Sequence, residues 1–146
     1  MNQSLPFAIP LIKKYEGFYA NAYLCPAGYK TIGYGHKILP GEQIIEPLPE
    51  DKALELLAAD AEISARAIKR LINRALMPEQ EAALLSFTYN VGSAALQRST
   101  LRRKVNAGRD SLVPKELMKW VRVKGRIMPG LVARRSEEGA LYISGA

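Results

Sequence analysis

At 146 residues, 48% of them hydrophobic, the chain is long enough for one domain with a real core and too short for several. Its formal net charge of +7 directs attention to anionic polymers: nucleic acid, anionic lipid or anionic cell wall. One cysteine rules out an internal disulfide and suits a reducing compartment, and one histidine beside it makes a metal site unexpected.

The first elements are short. Leu5 to Ile12 (LPFAIPLI) is apolar but too short to span a bilayer and has no basic residues before it, so no signal segment is expected. Residues from about Ile9 to Tyr15 read as a short helix, with Pro10 in its first turn and Gly17 as its stop. Ala22 to Cys25 and Lys30 to Tyr34 carry aromatic or β-branched residues around the turn signal Pro26-Ala27-Gly28, which predicts a β-hairpin. A third strand is expected near Ile44.

Helices dominate the rest. Pro49 and Asp51 open a long one over about 50–73, with Leu54, Leu57, Ala61, Ala65, Ile68 and Ile72 as its apolar stripe. Pro78 starts another, whose AALLSFTYNV is apolar nearly all round and predicts the buried centre of a bundle. Thr100 to Asn106, Pro114 to Trp120 and Leu131 to Ile143 follow, separated by Gly or Pro. The expected class is α+β, a single domain over 1–146. A small lobe of about 1–50 holds the hairpin, the long helix connects, and a helical lobe spans about 78–146. A cleft between lobes is a usual place for a substrate.

Charge follows the same division. Between Arg98 and Arg135 stand 12 Lys or Arg against 2 acids, whereas residues 1–97 hold 9 basic and 10 acidic residues. A basic stretch is usually a solvated face. Here it also suits attraction to an anionic wall, and Trp120 among Lys119, Arg122 and Lys124 suits a cationic segment touching membrane. No nucleic-acid reader motif is visible, so no nucleic-acid partner is expected.

The residues that carry chemistry cluster early. Glu16 ends the first helix, Cys25 follows nine residues later, and Thr31 six beyond that, opening TIGYGH. Cleaving a glycosidic bond needs a proton on the leaving oxygen and a positioned water. A carboxyl packed beside Tyr15 and Phe18 suits the first task. A threonine hydroxyl, aimed by a β-branched side chain with few rotamers, suits the second. Cys25 has two other readings: a packed cysteine, or a covalent nucleophile with His36 as its base.

This run resembles the phage-type lysozymes, or endolysins, of glycoside hydrolase family 24. Their hallmark is a Glu, an Asp or Cys nine residues later, and a Thr six beyond that in T-I-G-x-G-H. The likeness continues, in family order, through SFTYNVG (Ser86 to Gly92), STLRRKVNAG (Ser99 to Gly108), Lys119-Trp120 and PGLVARR (Pro129 to Arg135). It implies a lysozyme-like fold and an N-acetylmuramidase cutting the β-1,4 bond between N-acetylmuramic acid and N-acetylglucosamine, with inversion and without a cofactor. Glu16 is then the general acid, Thr31 the holder of water, and Cys25 a substitute for the usual aspartate. The likeness further implies a structural pair of His36 with Asp60 and a saccharide cleft bordered by Tyr34, Tyr89, Asn90 and Thr100. Arg134 and Arg135 lie near Glu16 across that cleft or are exposed helix arginines. The expected partners are peptidoglycan and an anionic membrane or lipopolysaccharide, and the expected state is a monomer. A protein of this kind waits in the host cytoplasm and reaches the wall through a membrane lesion. The rival readings are a lytic transglycosylase and a cationic wall- or membrane-binding protein.

Overall fold

The computed structural model describes residues 3–146. Helix α1 (Leu5–Glu16) begins before Ile9, with Pro6 in its first turn and Pro10 inside it. Pro10 removes only one backbone bond, and the helix, with Ala8, Leu11 and Ile12 buried, continues through that loss to Glu16. Gly17 stops it with φ 71°, its N–H bonding to the Lys13 carbonyl.

Three short strands follow. β1 (Tyr19–Leu24) and β2 (Lys30–Gly33) form the expected hairpin, with Tyr23 opposite Thr31. The third strand is not near Ile44. It is β3 (His36–Lys37), which pairs antiparallel with β2, Ile32 opposite His36. The chain reverses within Tyr34-Gly35 because Gly33 and Gly35 take φ of 66° and 79°, backbone that side-chain-bearing residues rarely adopt.

Helix α2 (Glu50–Leu71) has Glu50 and Asp51 in its first turn and Lys69 and Arg70 in its last, matching the helix dipole at both ends. Its buried line runs through Ala53, Leu57, Ala61, Ala65 and Ile68, and Leu54 is exposed. At 3.6 residues per turn, position 54 lies about 100° round from 53, so Ala53 takes the inner place. There Ala53 meets β2 so closely that a Cβ on Gly33 would stand 3.3 Å from the Ala53 Cβ.

Helix α3 (Pro78–Val91) is buried from Ala82 to Thr88 and packs against α1, α2 and the last helix, as an all-round apolar helix must. A short α4 (Ser93–Arg98) comes next. The Ser99 hydroxyl caps α5 (Thr100–Asn106) by accepting the Arg102 N–H at 3.0 Å. After α6 (Val113–Leu117) the chain forms a second, unanticipated hairpin of β4 (Arg122–Val123) and β5 (Arg126–Ile127). Its tip is Lys124-Gly125, both at positive φ. Helix α7 (Pro129–Gly145) closes the structure, buried through Arg134, Arg135, Glu138, Gly139 and Tyr142. Gly139 lets α7 approach α6, since a Cβ there would meet the Pro114 Cβ at 3.1 Å.

Candidate active site

A cleft of about 550 Å³ is walled on one side by α1 and the three-stranded sheet and on the other by α3, the β4–β5 hairpin and α7. Glu16, Cys25 and Thr31 all line it. A larger groove of about 690 Å³ lies where α2 ends, around Ala65, Ile68, Ile72 and Leu76. It contains none of the three, so volume alone does not select the site.

Glu16 is the last residue of α1, where the negative end of the helix dipole disfavours a carboxylate. The Arg134 guanidinium offsets this: its Nη1 donates to Glu16 Oε2 at 2.7 Å. On the other side Oε1 lies over Gly35, where an added Cβ would fall 2.5 Å from it. The second glycine of TIGYGH therefore makes room for the Glu16 carboxyl. The end of α1 is tied to α7 as well, Tyr15 Oη donating to Glu137 Oε1 at 2.7 Å and Lys14 pairing with the same oxygen at 2.8 Å.

Cys25 and Thr31 are held locally. The Cys25 N–H donates to the Tyr29 carbonyl at 2.9 Å, and the Gly28 N–H to the Cys25 carbonyl at 2.8 Å, closing the turn between β1 and β2. Burial pushes the Cys25 thiol up. The backbone of Tyr29 and Ala27, the Thr31 hydroxyl and the backbone of Gly28 outweigh that and draw it below its ordinary value. Thr31 is buried, and its single hydroxyl proton is shared between the Tyr29 carbonyl, at 2.8 Å, and the Cys25 sulfur. Its oxygen lone pairs are thereby left to accept from a water.

The cleft also holds residues that the sequence did not single out. The Tyr19 and Tyr23 rings lie 4.3 Å apart between centroids, and both line the cleft. The Lys37 ammonium sits 4.3 Å over the Tyr29 ring. Alternation along a strand puts positions 19 and 23 on one face, which is a signal for Tyr19 and Tyr23. Trp120 and Arg122, noted for charge, also line the cleft.

Of the four residues expected to border a saccharide cleft, two line the cleft and two do not. Tyr89 and Asn90 line the cleft. Tyr89 donates its hydroxyl to the Tyr34 carbonyl at 2.6 Å, and Asn90 Oδ1 accepts from Arg135 Nη2. Tyr34 is in the core. Its ring packs against Phe18, and its hydroxyl donates to Glu50 Oε2 at 2.6 Å, a bond that pushes its pKa up to about 12. Thr100 stands on α5 outside the cleft lining, its hydroxyl taken by Glu116 Oε1. Arg134 and Arg135 are both buried; neither is an exposed helix arginine.

His36 Nδ1 lies 2.7 Å from Asp60 Oδ2, and its Nε2 lies 2.9 Å from Glu42 Oε1, a second carboxylate that the sequence did not mark. The Asp60 bond leads in raising the His36 pKa to about 9, against the opposing effect of burial. His36 is outside the cleft lining and engages carboxylates through both ring nitrogens, so it is not placed as a base for Cys25. Among the described residues, no three His, Cys, Asp or Glu side chains group as a metal would require, and no helix is long and apolar enough to cross a membrane.

Comparison with known proteins gives a consistent picture. The family model described as phage lysozyme matches residues 13–138. An endolysin of Bacillus phage B103 is 37% identical over 141 residues, which are 94% of this chain and 52% of that protein, so the chain spans about half that relative's length. An endolysin of Acyrthosiphon pisum secondary endosymbiont phage 1 is 36% identical, covering 92% of this chain and 93% of that one. Among solved structures, the muramidase domain of SpmX from Asticaccaulis excentricus superposes with a TM-score of 0.82 at 29% identity, covering 94% of this chain and 95% of that one.

Proposed function

This chain belongs to the phage lysozyme family, and on that premise we propose that it is a muramidase. It hydrolyses the β-1,4 bond between N-acetylmuramic acid and N-acetylglucosamine in bacterial peptidoglycan, for host cell lysis. The observation that carries this reading is the meeting of Glu16, Cys25 and Thr31 in one cleft walled by both halves of the molecule. The two halves act as lobes of a single catalytic unit.

In this mechanism the Glu16 carboxyl gives its proton to the glycosidic oxygen. The C1–O bond breaks with its electron pair moving to that oxygen, and positive charge develops on the sugar ring. A water hydrogen-bonded to the Thr31 lone pairs attacks C1 from the opposite face, so the configuration inverts. Cys25, beside Thr31, helps orient this water; the proton that the water sheds passes to solvent, from which Glu16 is reprotonated. The hydrogen bonds that draw the Cys25 thiol down favour its charged form, the direction a cysteine needs to stand in for an aspartate. The tyrosine faces of Tyr19 and Tyr23 offer platforms for sugar rings.

The enzyme reaches the wall from the cytoplasm through a membrane lesion and works as a monomer. A second role rests on the β4–β5 hairpin, where Arg122, Lys124 and Arg126 are exposed beside the 55%-exposed Ile127. That surface suits an anionic membrane or lipopolysaccharide. The central test is digestion of purified peptidoglycan in heavy-oxygen water. A muramidase leaves one labelled reducing-end N-acetylmuramic acid per cut, initially as the α anomer. An unlabelled anhydro-sugar end would mean a lytic transglycosylase and overturn the reading.

A further inference from the structure

The Glu138 side chain, on the inner face of α7, has no exposed surface and is shared between two guanidinium groups. Its Oε1 accepts from Arg135 Nη1 at 2.6 Å, and its Oε2 accepts the Ser86 hydroxyl at 2.7 Å and Arg134 Nε at 3.3 Å. Arg134 is committed at every nitrogen. Nε faces Glu138 and Ser86 Oγ, Nη2 donates to the Ser86 carbonyl at 3.1 Å, and only Nη1 reaches Glu16.

An arginine left to itself takes a carboxylate through two nitrogens, holding both oxygens at once. A carboxyl held that way has both oxygens engaged by the cation, which opposes a proton on either. One two-nitrogen edge of Arg134 is closed here. Glu138 and Ser86 occupy the edge formed by Nε and Nη2. Along the other edge Nη2 already donates to the Ser86 carbonyl, and Nη1 alone meets Glu16. Glu16 is therefore gripped by Oε2 alone, and Oε1, over Gly35, remains available. The arrangement is also balanced in charge: two arginines face Glu138 and Glu16, with no solvent to screen the first three.

We propose that Glu138 is a positioning residue for the acid. It holds the Arg134 guanidinium so that Arg134 grips one oxygen of Glu16 and leaves the other to deliver the proton. The inference rests on the muramidase reading of Glu16, and its test separates the two.

The variant Glu138→Gln keeps the shape and removes the charge that occupies Nε. On soluble peptidoglycan strands its kcat falls about 10- to 100-fold, the cost of a misplaced catalytic group, while KM stays within about twofold because Glu138 touches no substrate. In an Arg134→Met background, Glu138→Gln lowers kcat by less than about twofold more, since the residue it acts through is gone. Leu117→Ala, a buried change in α6, controls for lost stability and keeps kcat. Equal losses from Glu138→Gln in both backgrounds, an unchanged kcat, or the same loss in Leu117→Ala overturns the proposal. Should the unaltered chain leave the strands uncut, the muramidase reading fails by itself. The clamp is then judged by the carboxyl carbon resonance of Glu16, which moves in Glu138→Gln and stays in Leu117→Ala. A resonance unmoved in Glu138→Gln overturns it.

Discussion

The two sides of the cleft are held in opposite ways. Glu16 is fixed from far away in the chain: its partner Arg134 stands 118 positions later and is itself locked by the buried Glu138 and Ser86. Cys25 and Thr31 are fixed by their own turn, through bonds that span no more than four residues. The acid side thus depends on α1, α3 and α7 packing correctly, whereas the water side is built as soon as the hairpin closes. A group that must hold and release a proton benefits from a buried, oriented charge that only tertiary packing supplies. A group that must hold water needs only a rigid local frame.

Removing the acid tests the comparison most severely. Glu16→Gln should lower the hydrolysis rate roughly 10³-fold, measured on purified peptidoglycan, because no other cleft carboxyl can replace it. Gly35→Ala should come next. A Cβ there falls 2.5 Å from Glu16 Oε1 and 2.7 Å from its Cδ, on backbone at φ 79°. The rate should fall about 100-fold, with about 1–2 kcal/mol of stability lost in urea unfolding. That change displaces the acid and leaves the Cys25–Tyr29 turn between β1 and β2 intact, so a rate within twofold of the unaltered chain would break the distinction.

The water side should yield a smaller effect. Cys25→Ala should lower the rate about 30-fold, while Cys25→Asp should stay within about threefold. Initial lysis rates compare them directly, and equal rates for Cys25→Ala and the unaltered chain would remove the thiol from the mechanism.

His36 sharpens the comparison from outside the cleft. Its folded pKa of about 9 lies above the unfolded value of about 6.5, so the ion pairs with Asp60 and Glu42 stabilise fully below pH 6.5. That stability is lost as pH rises from 6.5 to 9. About 2 kcal/mol should disappear across this window, allowing for the partly solvated carboxylates. Urea unfolding at a series of pH values should show it, and His36→Asn should flatten the curve.

Much of the molecule was legible in its sequence. The helical repeat of Leu57, Ala61, Ala65 and Ile68, the all-round apolar AALLSFTYNV, and Thr100–Asn106 each express a preference contained within one or two turns. The hairpin around Pro26-Ala27-Gly28 is of the same kind, since φ limits act on single residues. The spacing of Glu16, Cys25 and Thr31 marked the candidate site before any packing was known.

Only the tertiary structure decided the remainder. Sequence spacing could not tell whether Arg134 and Arg135 face solvent or the carboxylates of Glu16 and Glu138, because that depends on how α7 lies against α1 and α3. Nor could it place Tyr34 in the core and Thr100 outside the cleft, since a polar aromatic or a hydroxyl suits either setting. Elements follow from sterics among near neighbours, which the sequence lists in order. Buried charge follows from which distant surfaces meet, and those surfaces exist only once the chain has packed.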